Sequence, residues 1–272
     1  MKFLLCLSLS LIALFAESKG CFVDENSQNI IFVKDGETKS IGLKEKIYKD
    51  QRCAYDESSF YVANLNNEIV KVASEKEFLF ALPNVGCKVS NILLDKEKIY
   101  VACDMANVVT IAIFDKSSKK FISKNFNNVY KISSFLPLSG GVFFTSFNGK
   151  AFLLDSKLNA KEQKSVGFAP ISACKFSDDE IFIGFRNGEI LDLKSGAKKQ
   201  VLRSKISALA CAGDEVFVAS EDGVIYKFDK SFKLKGKKEL FSGEIKEIFI
   251  DKNVLVGVDL GNKTKSLEIN SF

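Results

Sequence analysis

Six cysteines are the side chains best able to do chemistry in this chain. The sequence has seven cysteines, and these six lie after residues 1–20, at Cys21, Cys53, Cys87, Cys103, Cys174 and Cys211. An even number of cysteines is typical of disulfide bonds in a protein from an oxidising compartment. None of the pairs has Cys-x-x-Cys spacing, so neither a thioredoxin-type site nor a cysteine zinc site is expected.

Their positions predict different surroundings. Cys53, Cys174 and Cys211 stand where neighbouring sequence repeats carry apolar residues, which predicts small, buried, unpaired side chains. Cys87 and Cys103 flank one hairpin. The expected register sets Cys103 opposite residue 90, so a bond to Cys87 would need the preceding loop to fold back. Which cysteines pair is left open.

Acidic residues cluster between predicted strands. The clusters are Asp56-Glu57, Asp95, Asp178-Asp179-Glu180 and Asp214-Glu215. Aspartate is common in such turns because its carboxylate accepts hydrogen bonds from the backbone just after it. A calcium loop would need alternating oxygen ligands with a glycine and a terminal glutamate, and none is present. These residues are therefore predicted to shape turns, and no metal or catalytic site is assigned.

The chain has no histidine and no tryptophan. Without histidine there is no Ser-His-Asp triad, no Cys-His pair and no side chain whose ordinary pKa lies near neutrality. A general base would have to be a strongly perturbed carboxylate, cysteine or lysine. These absences favour a protein that is not an enzyme.

Lysine dominates the formal net charge of +5. The lysine-rich runs are Lys119-Lys120, Lys198-Lys199 and Lys233, Lys235, Lys237 and Lys238, all on or beside predicted outermost strands. Charged edge strands discourage aggregation, although such runs could also dock an acidic partner or an anionic membrane. Arginine occurs only at Arg52, Arg186 and Arg203, so no nucleic-acid partner is expected.

A repeated three-strand unit must position all these residues. Residues 171–193 and 206–228 are near copies, each with an apolar strand, a polar turn, a second strand, a glycine turn and a third strand. The second strands of six copies begin 35 to 43 residues apart, at Phe60, Ile99, Val142, Ile181, Val216 and Val254.

The turns after these second strands are predicted to be type I′ hairpins. Gly149, Gly188, Gly223 and Gly261 stand at the position that needs a positive φ, and Asn67 tolerates that conformation nearly as well. Met105-Ala106 departs from the pattern and predicts a longer hairpin.

The repeats predict an all-β protein, a β-propeller of six or seven four-stranded blades, formed by a single domain over residues 21–272. The last repeat lacks a fourth strand. Residues 29–42 are therefore expected to pair with Lys265–Asn270, or with the strand beside it, so that both chain ends share one blade and close the ring.

Residues 1–20 have the pattern of a secretory signal peptide. Lys2 precedes an apolar stretch over Phe3–Phe15 that is too short to span a bilayer. Cleavage would leave a periplasmic protein without a transmembrane segment. A lipid anchor on Cys21 is the alternative, but Ser18 and Lys19 do not fit a lipid-modification site.

The quoted repeats resemble WD40-like β-propellers in period, strand number and hairpin position, although Gly-His and Trp-Asp pairs are missing. The segments Phe-Asp-Lys-Ser at 114–117 and 228–231 resemble turns of quinoprotein-like propellers without their tryptophan. These resemblances imply the fold, and no cofactor or site residue. The signal, the propeller and the composition together resemble the NapL-type accessory propellers encoded with periplasmic nitrate reductase. That resemblance implies a role in maturing, or delivering electrons to, the reductase.

We therefore expect a non-catalytic, monomeric protein that acts through protein partners, among them nitrate reductase components. One alternative is an outer-membrane assembly scaffold, which would require the lipid on Cys21. Another is a propeller enzyme that binds a small molecule, which would require carboxylates near the axis that the sequence alone does not place.

Overall fold

A computed structural model describes residues 20–24, 29–34, 37–43, 47, 51–56, 58–83 and 86–272. Their strands form seven antiparallel sheets, which are the blades of a seven-bladed β-propeller. The predicted fold class is confirmed, with the larger of the two expected blade numbers.

The strands follow the blades in chain order. Blade 1 contains β1 (Cys21–Val23), β2 (Asn29–Lys34) and β3 (Glu37–Gly42). Blade 2 contains β4 (Ala54–Tyr55), β5 (Phe60–Ala63), β6 (Glu68–Val72) and β7 (Lys76–Ala81). Blade 3 contains β8 (Lys88–Leu94), β9 (Lys98–Met105), β10 (Val108–Asp115) and β11 (Lys120–Asn127). Blade 4 contains β12 (Ile132–Leu138), β13 (Gly141–Ser146), β14 (Lys150–Asp155) and β15 (Ala160–Ser165).

The second half continues in the same way. Blade 5 contains β16 (Pro170–Ser177), β17 (Glu180–Phe185), β18 (Glu189–Asp192) and β19 (Lys198–Gln200). Blade 6 contains β20 (Ile206–Ala212), β21 (Glu215–Ser220), β22 (Val224–Asp229) and β23 (Leu234–Glu239). Blade 7 contains β24 (Ile245–Asp251), β25 (Val254–Asp259) and β26 (Thr264–Glu268), followed by a short 3-10 helix over Ile269–Ser271.

The position of a strand within its blade explains its composition. The first strand lies nearest the axis, and the second is covered on both faces by neighbouring blades, so β13 is buried throughout. This double burial accounts for the apolar runs that mark each repeat. The fourth strands lie at the rim and are mostly exposed, and the predicted lysine runs lie on or beside β11, β19 and β23.

Aromatic layers hold adjacent blades together. Phe144 and Phe152 of blade 4 stack with ring centres 4.6 Å apart, and Phe126 of blade 3 meets Phe144 edge-on at 5.3 Å. Such pairs contribute roughly 0.5–1.5 kcal/mol beyond the burial of their area. Phenylalanine therefore provides the aromatic packing between these blades.

The two chain ends do not share a blade, so that prediction was wrong. Residues 29–42 form β2 and β3, which pair with β1 and with each other. Lys265–Glu268 belongs to β26, which pairs with β25. The first strand was missed because β1 has only three residues. Blades 1 and 7 consequently have three strands each, whereas the other five have four.

Side chains close the ring between blades 1 and 7. Phe22 and Val33 pack with Phe249, Val256 and Val258 in one buried cluster. Arg52 reinforces the junction through an ion pair with Glu247 at 3.6 Å, and the hydroxyl groups of Thr38 and Thr264 contact each other.

The glycine turns lie where the repeats predicted, with a different geometry. Gly149, Gly188 and Gly223 have φ values of +82°, +86° and +84°. Gly223 N–H donates to Ser220 O at 3.2 Å, which makes a type I turn followed by a glycine in the left-handed region. The type I′ assignment was wrong, since the residues before these glycines do not have a positive φ.

Two further hairpins differ from the prediction. Only Ala106 and Asn107 separate β9 from β10, with Asn107 at φ +59°, so the hairpin expected to be long is the shortest possible. After β25 the left-handed residue is Asn262, at φ +62°, rather than Gly261. Asparagine tolerates this conformation, which is why the turns can form without glycine.

The molecule has two distinct ends. Hairpins between second and third strands and the connections between blades lie at one end, here called the connecting face. Hairpins between first and second strands and between third and fourth strands lie at the other end, here called the turn face.

Candidate functional site on the propeller axis

Bulges in the first strands shape the axis at the connecting face. The pairing of first and second strands shifts by one residue in blades 3 to 7, at Ser90, Ser133, Ile171, Ser207 and Lys246. A bulge leaves one residue unpaired and redirects its side chain. Three of these bulged residues, Ile171, Ser207 and Lys246, line a cavity on the axis.

This axial cavity has a volume of about 390 Å³. Its walls are first strands of blades 3 to 7, and its rim includes Arg52, Arg186 and Leu260. It therefore opens at the connecting face, where the hairpins that carry Arg186 and Leu260 lie.

Six charged residues line the axial cavity. They are Arg52, Arg186, Lys205, Lys246, Glu244 and Glu247. Two pairs partly neutralise one another, because Lys205 binds Glu244 and Arg52 lies 3.6 Å from Glu247. Four cations against two carboxylates leave an excess of two positive charges.

The other two cations differ in their surroundings. Lys246 Nζ donates to Asn262 Oδ1 at 3.2 Å and lies 5.7 Å from the centre of the Phe22 ring. Arg186 is exposed, and its guanidinium has no ion pair or hydrogen bond among the described residues. It is thus the cavity cation whose donors are open to a ligand.

Ser207 adds a buried polar group to the cavity wall. Its side chain is 7% exposed, and its hydroxyl has no hydrogen-bond partner in the described part of the protein. The neighbouring Ser172 hydroxyl, by contrast, accepts the Leu209 N–H at 3.0 Å. Buried hydroxyls are nearly always hydrogen-bonded, so the Ser207 hydroxyl points to a missing partner.

Large apolar side chains are exposed on the connecting face, where the cavity opens. Phe168 is 77% exposed and meets Phe147 edge-on at 5.6 Å. Tyr130, Leu65 and Leu260 are also about half exposed on this face. The other exposed large hydrophobic residues of the described chain lie on outermost strands, namely Ile41, Phe78, Phe121, Ile122 and Leu234.

The predicted turn role of Asp56 and Asp95 is confirmed on the turn face. Asp56 Oδ1 accepts the N–H groups of Ser58 and Ser59, and Asp95 Oδ1 accepts those of two residues that follow it. Burial raises the pKa of Asp56, but the Tyr61 hydroxyl and the Ser58 N–H lower it more, so the pKa lies below its usual value. These contacts are structural, since they hold the turns in shape.

The remaining acidic clusters link elements rather than capping their own turns. Asp178 accepts the Ser139 N–H of blade 4 at 2.7 Å and pairs with Lys175 at 3.0 Å. Glu180 and Asp214 both pair with Lys230, at 3.0 and 3.3 Å. Glu215 likewise pairs with Lys227 at 2.8 Å, and Glu57 lies outside the described residues.

The cysteine prediction needs correction, because Cys53, Cys174 and Cys211 are paired. Cys174 of β16 bonds to Cys211 of β20, with Cα atoms 5.5 Å apart. Cys53 bonds to Cys21, whose carbonyl also accepts the Cys53 N–H at 3.0 Å. Both bonds link the innermost parts of adjacent blades, with Cys53 directly before β4, and comparison of positions within one repeat does not reveal such a contact.

The Cys87–Cys103 bond forms because of a bulge. The shift at Ser90 places Cys103 opposite Val89 instead of Ser90, and the Cα atoms of the two cysteines are 5.6 Å apart. No folded-back loop is required. Three disulfides in one small protein indicate an oxidising compartment outside the cytoplasm.

Some types of site are missing from the described part of the chain. It holds no group of three or more histidine, cysteine, aspartate or glutamate residues that could bind a metal ion. None of its helices is long and apolar enough to cross a membrane.

Comparison with known proteins identifies the fold and no family. No protein-family profile matches the sequence, and no curated protein is a significant match. The computationally designed Ika8 protein is similar in structure, with a TM-score of 0.64 and 13% identity over 89% of this chain and 81% of its own. BamB from Moraxella catarrhalis is similar with a TM-score of 0.61 and 10% identity, over 93% of this chain and 85% of its own. None of these comparisons supports the resemblance to the NapL-type proteins.

The sequence did not reveal the cavity residues. The cavity residues come from three different repeats, Arg186 from one, Ser207 from the next, and Glu244, Lys246 and Glu247 from the last, and they meet only at the axis. One signal was available, since two of the three arginines of the chain, Arg52 and Arg186, line this cavity.

Proposed function

We propose that this protein is a non-catalytic scaffold that binds a protein partner on its connecting face. The supporting observation is the set of exposed apolar side chains on the connecting face, with Phe168 the most exposed at 77%. The described hairpins of the turn face carry no exposed large hydrophobic residue, although Phe121, Ile122 and Leu234 are exposed on outermost strands near that end.

The composition of this face favours protein binding. Exposed apolar patches on soluble proteins often mark interaction sites, and tyrosine and arginine are enriched among the residues that dominate binding energy. Phe168, Tyr130 and Arg186 supply these side chains on a rigid ring of blades. Loops on a rigid frame suit docking because little order has to be created on binding.

We place the scaffold in the periplasm, on the three disulfides and the signal-like residues 1–20. Cys21 is not lipidated in this proposal, because its sulfur is bonded to Cys53 and cannot also carry a lipid thioether. The outer-membrane assembly alternative was tied to that lipid and is therefore less favoured. Mass spectrometry of the intact secreted protein distinguishes the two forms.

An enzymatic role has one observation in its favour. Glu244 and Glu247 lie at the axial cavity, which is where a propeller enzyme would need carboxylates. Each is held by a cation, Lys205 or Arg52, and no histidine is available as a base. Turnover of a small molecule by the purified protein, lost in Glu244→Gln, would overturn the non-catalytic proposal.

A pull-down from periplasmic extract tests the proposal. The bait is the secreted protein, compared with Phe168→Ser and with the matched control Phe78→Ser, whose side chain is 57% exposed on the outermost strand β7. We expect a protein captured by the wild type and by Phe78→Ser and lost with Phe168→Ser. Capture that depends on Phe78 and not on Phe168 would contradict the assignment of the connecting face.

The same pull-down tests nitrate reductase as the partner. Recovery of reductase components with the wild type would support this finer proposal. Recovery of another protein would leave the scaffold proposal standing and remove the reductase.

A further inference from the structure

We infer that the axial cavity receives a glutamate or aspartate side chain from an acidic segment of the partner. This inference rests on the proposed function, since the segment belongs to the protein that docks on the connecting face. The inference adds the chemical group of the partner that the axial cavity recognises.

The axial cavity has a net positive charge. Its lining has four cations and two carboxylates, which gives it a net charge of +2. The two ion pairs, Lys205 with Glu244 and Arg52 with Glu247, hold those carboxylates against the wall. An incoming carboxylate therefore meets net attraction, which is strongest where the cavity walls exclude water.

Arg186 supplies the directional contact. Its guanidinium has no partner among the described residues and lies at the rim, on the hairpin after β17. Two parallel N–H groups of a guanidinium match the two oxygens of a carboxylate, which gives a short, charge-assisted and oriented pair. A lysine at this position would attract an anion without fixing its orientation.

Ser207 supplies the second contact. The bulge in β20 leaves this residue outside the strand pairing, and its 7% exposed hydroxyl lines the cavity without a partner. A carboxylate oxygen is an acceptor that this hydroxyl can use. Binding would satisfy a buried donor that folding alone leaves unpaired.

The size and rim of the cavity favour a peptide segment over a free anion. About 390 Å³ is near the lower end of the usual range for ligand pockets, roughly 300–1,000 Å³, and fits one or two side chains. Leu260 lines the cavity and is 58% exposed, so it offers apolar contact to the residues beside the carboxylate. A small inorganic anion would leave that apolar rim unused.

Fluorescence anisotropy with labelled peptides tests the inference. The probe is a short peptide that alternates glutamate with leucine, and its control carries glutamine in place of glutamate. We expect the acidic peptide to bind at least about tenfold more tightly than the control, as a charge-assisted pair requires. Equal binding of the two peptides would overturn the inference.

Variants locate the contact. Arg186→Gln should weaken binding of the acidic peptide about tenfold, and Ser207→Ala should weaken it several-fold. The matched control is Arg203→Gln, because Arg203 is exposed and does not line the cavity. If Arg203→Gln weakens binding as much as Arg186→Gln, the attraction is a general surface effect and the inference fails. Ser207→Ala keeps the test decisive should Arg186→Gln fail to fold.

Two further experiments distinguish a carboxylate site from a small-anion site and from a docking face that makes no carboxylate contact. In the first, inorganic phosphate competes with the labelled peptide. If phosphate binds as tightly as the peptide does, the cavity is a small-anion site and the inference is wrong. In the pull-down, a partner held equally by the wild type and Arg186→Gln would overturn the carboxylate contact and leave the scaffold proposal intact.

Discussion

Gly223 shows how closely a single residue can be constrained in this protein. Its φ is +84°, and a Cβ at this position would collide with the carbonyl oxygen of Phe241. We expect Gly223→Ala to lower the free energy of unfolding by about 1–3 kcal/mol or more, because strain and collision add. Urea denaturation followed by circular dichroism measures the change.

Substitutions at two other glycines distinguish the cost of backbone strain from the cost of the collision. Gly196 has φ +73° with open space around it, so Gly196→Ala should show the cost of the backbone alone. Gly243 has neither a positive φ nor a close neighbour, and Gly243→Ala should be nearly neutral. Equal losses at Gly223 and Gly196 would show that the Phe241 carbonyl moves aside.

Protonation of Asp115 is expected to make the folded protein less stable in acid. Hydrogen bonds from the Ser118 N–H and the Ser117 and Ser118 hydroxyls lower its pKa to about 2. Since the folded pKa lies below the unfolded value of about 3.9, the stabilisation is present above that value and disappears as the pH falls toward 2. The thermal midpoint should therefore fall less steeply between pH 4 and pH 2 in Asp115→Asn than in the wild type.

Asp179→Asn is the control for this experiment. Asp179 is exposed and makes no hydrogen bond among the described residues, so its replacement should leave the acid profile unchanged. Parallel profiles for the wild type and Asp115→Asn would show that the serine contacts do not persist in solution.

At the scale of strands, the disulfide between β16 and β20 joins two blades at their inner edges. It closes a loop with a sequence separation of 37 residues, and bonds of that span typically stabilise by about 3–4 kcal/mol. We expect the double variant Cys174→Ala/Cys211→Ala to unfold at a correspondingly lower urea concentration. In reductant, the difference from the wild type should disappear, and a difference that persists would point to packing rather than to the bond.

Strands were predictable from sequence where a repeat had a local signature. The buried runs of β9, β13, β17, β21 and β25 and the glycine turns after several of them were visible, because burial on both faces and a positive φ each restrict residue type. The bulges at Ser90 and Ser207 have no such signature, since serine fits many environments. Without the bulges, neither the Cys87–Cys103 bond nor the cavity wall at Ser207 could be placed.

For the whole molecule, the junction between blades 1 and 7 depends on side chains and not on a shared sheet. Phe22 is 4% exposed in this junction, and Phe22→Ala should cost about 3–5 kcal/mol. Hydrogen exchange should accelerate mainly in β1–β3 and β24–β26, because the ring opens there first. Phe143→Ala removes a buried ring between blades 4 and 5, and its effect should remain around those blades.

The sequence predicted six or seven blades but did not decide between the two numbers. Six repeats were countable, and the seventh blade is built from three N-terminal strands that do not match the repeat. The innermost strand of this blade has only three residues. It is held by the disulfide bond from Cys21 to Cys53, and the repeat pattern does not predict that bond. Ring closure is a property of distant parts of the chain, which local patterns do not encode.

The order of the disulfides along the chain has a consequence for biogenesis. Within residues 20–272, each cysteine is bonded to the next one in sequence, Cys21 to Cys53, Cys87 to Cys103 and Cys174 to Cys211. Six cysteines allow 15 pairings, and this one joins the thiols two by two in sequence order. An oxidase that paired thiols in the order of their synthesis would therefore form all three bonds, with no wrong pairing left for an isomerase to correct.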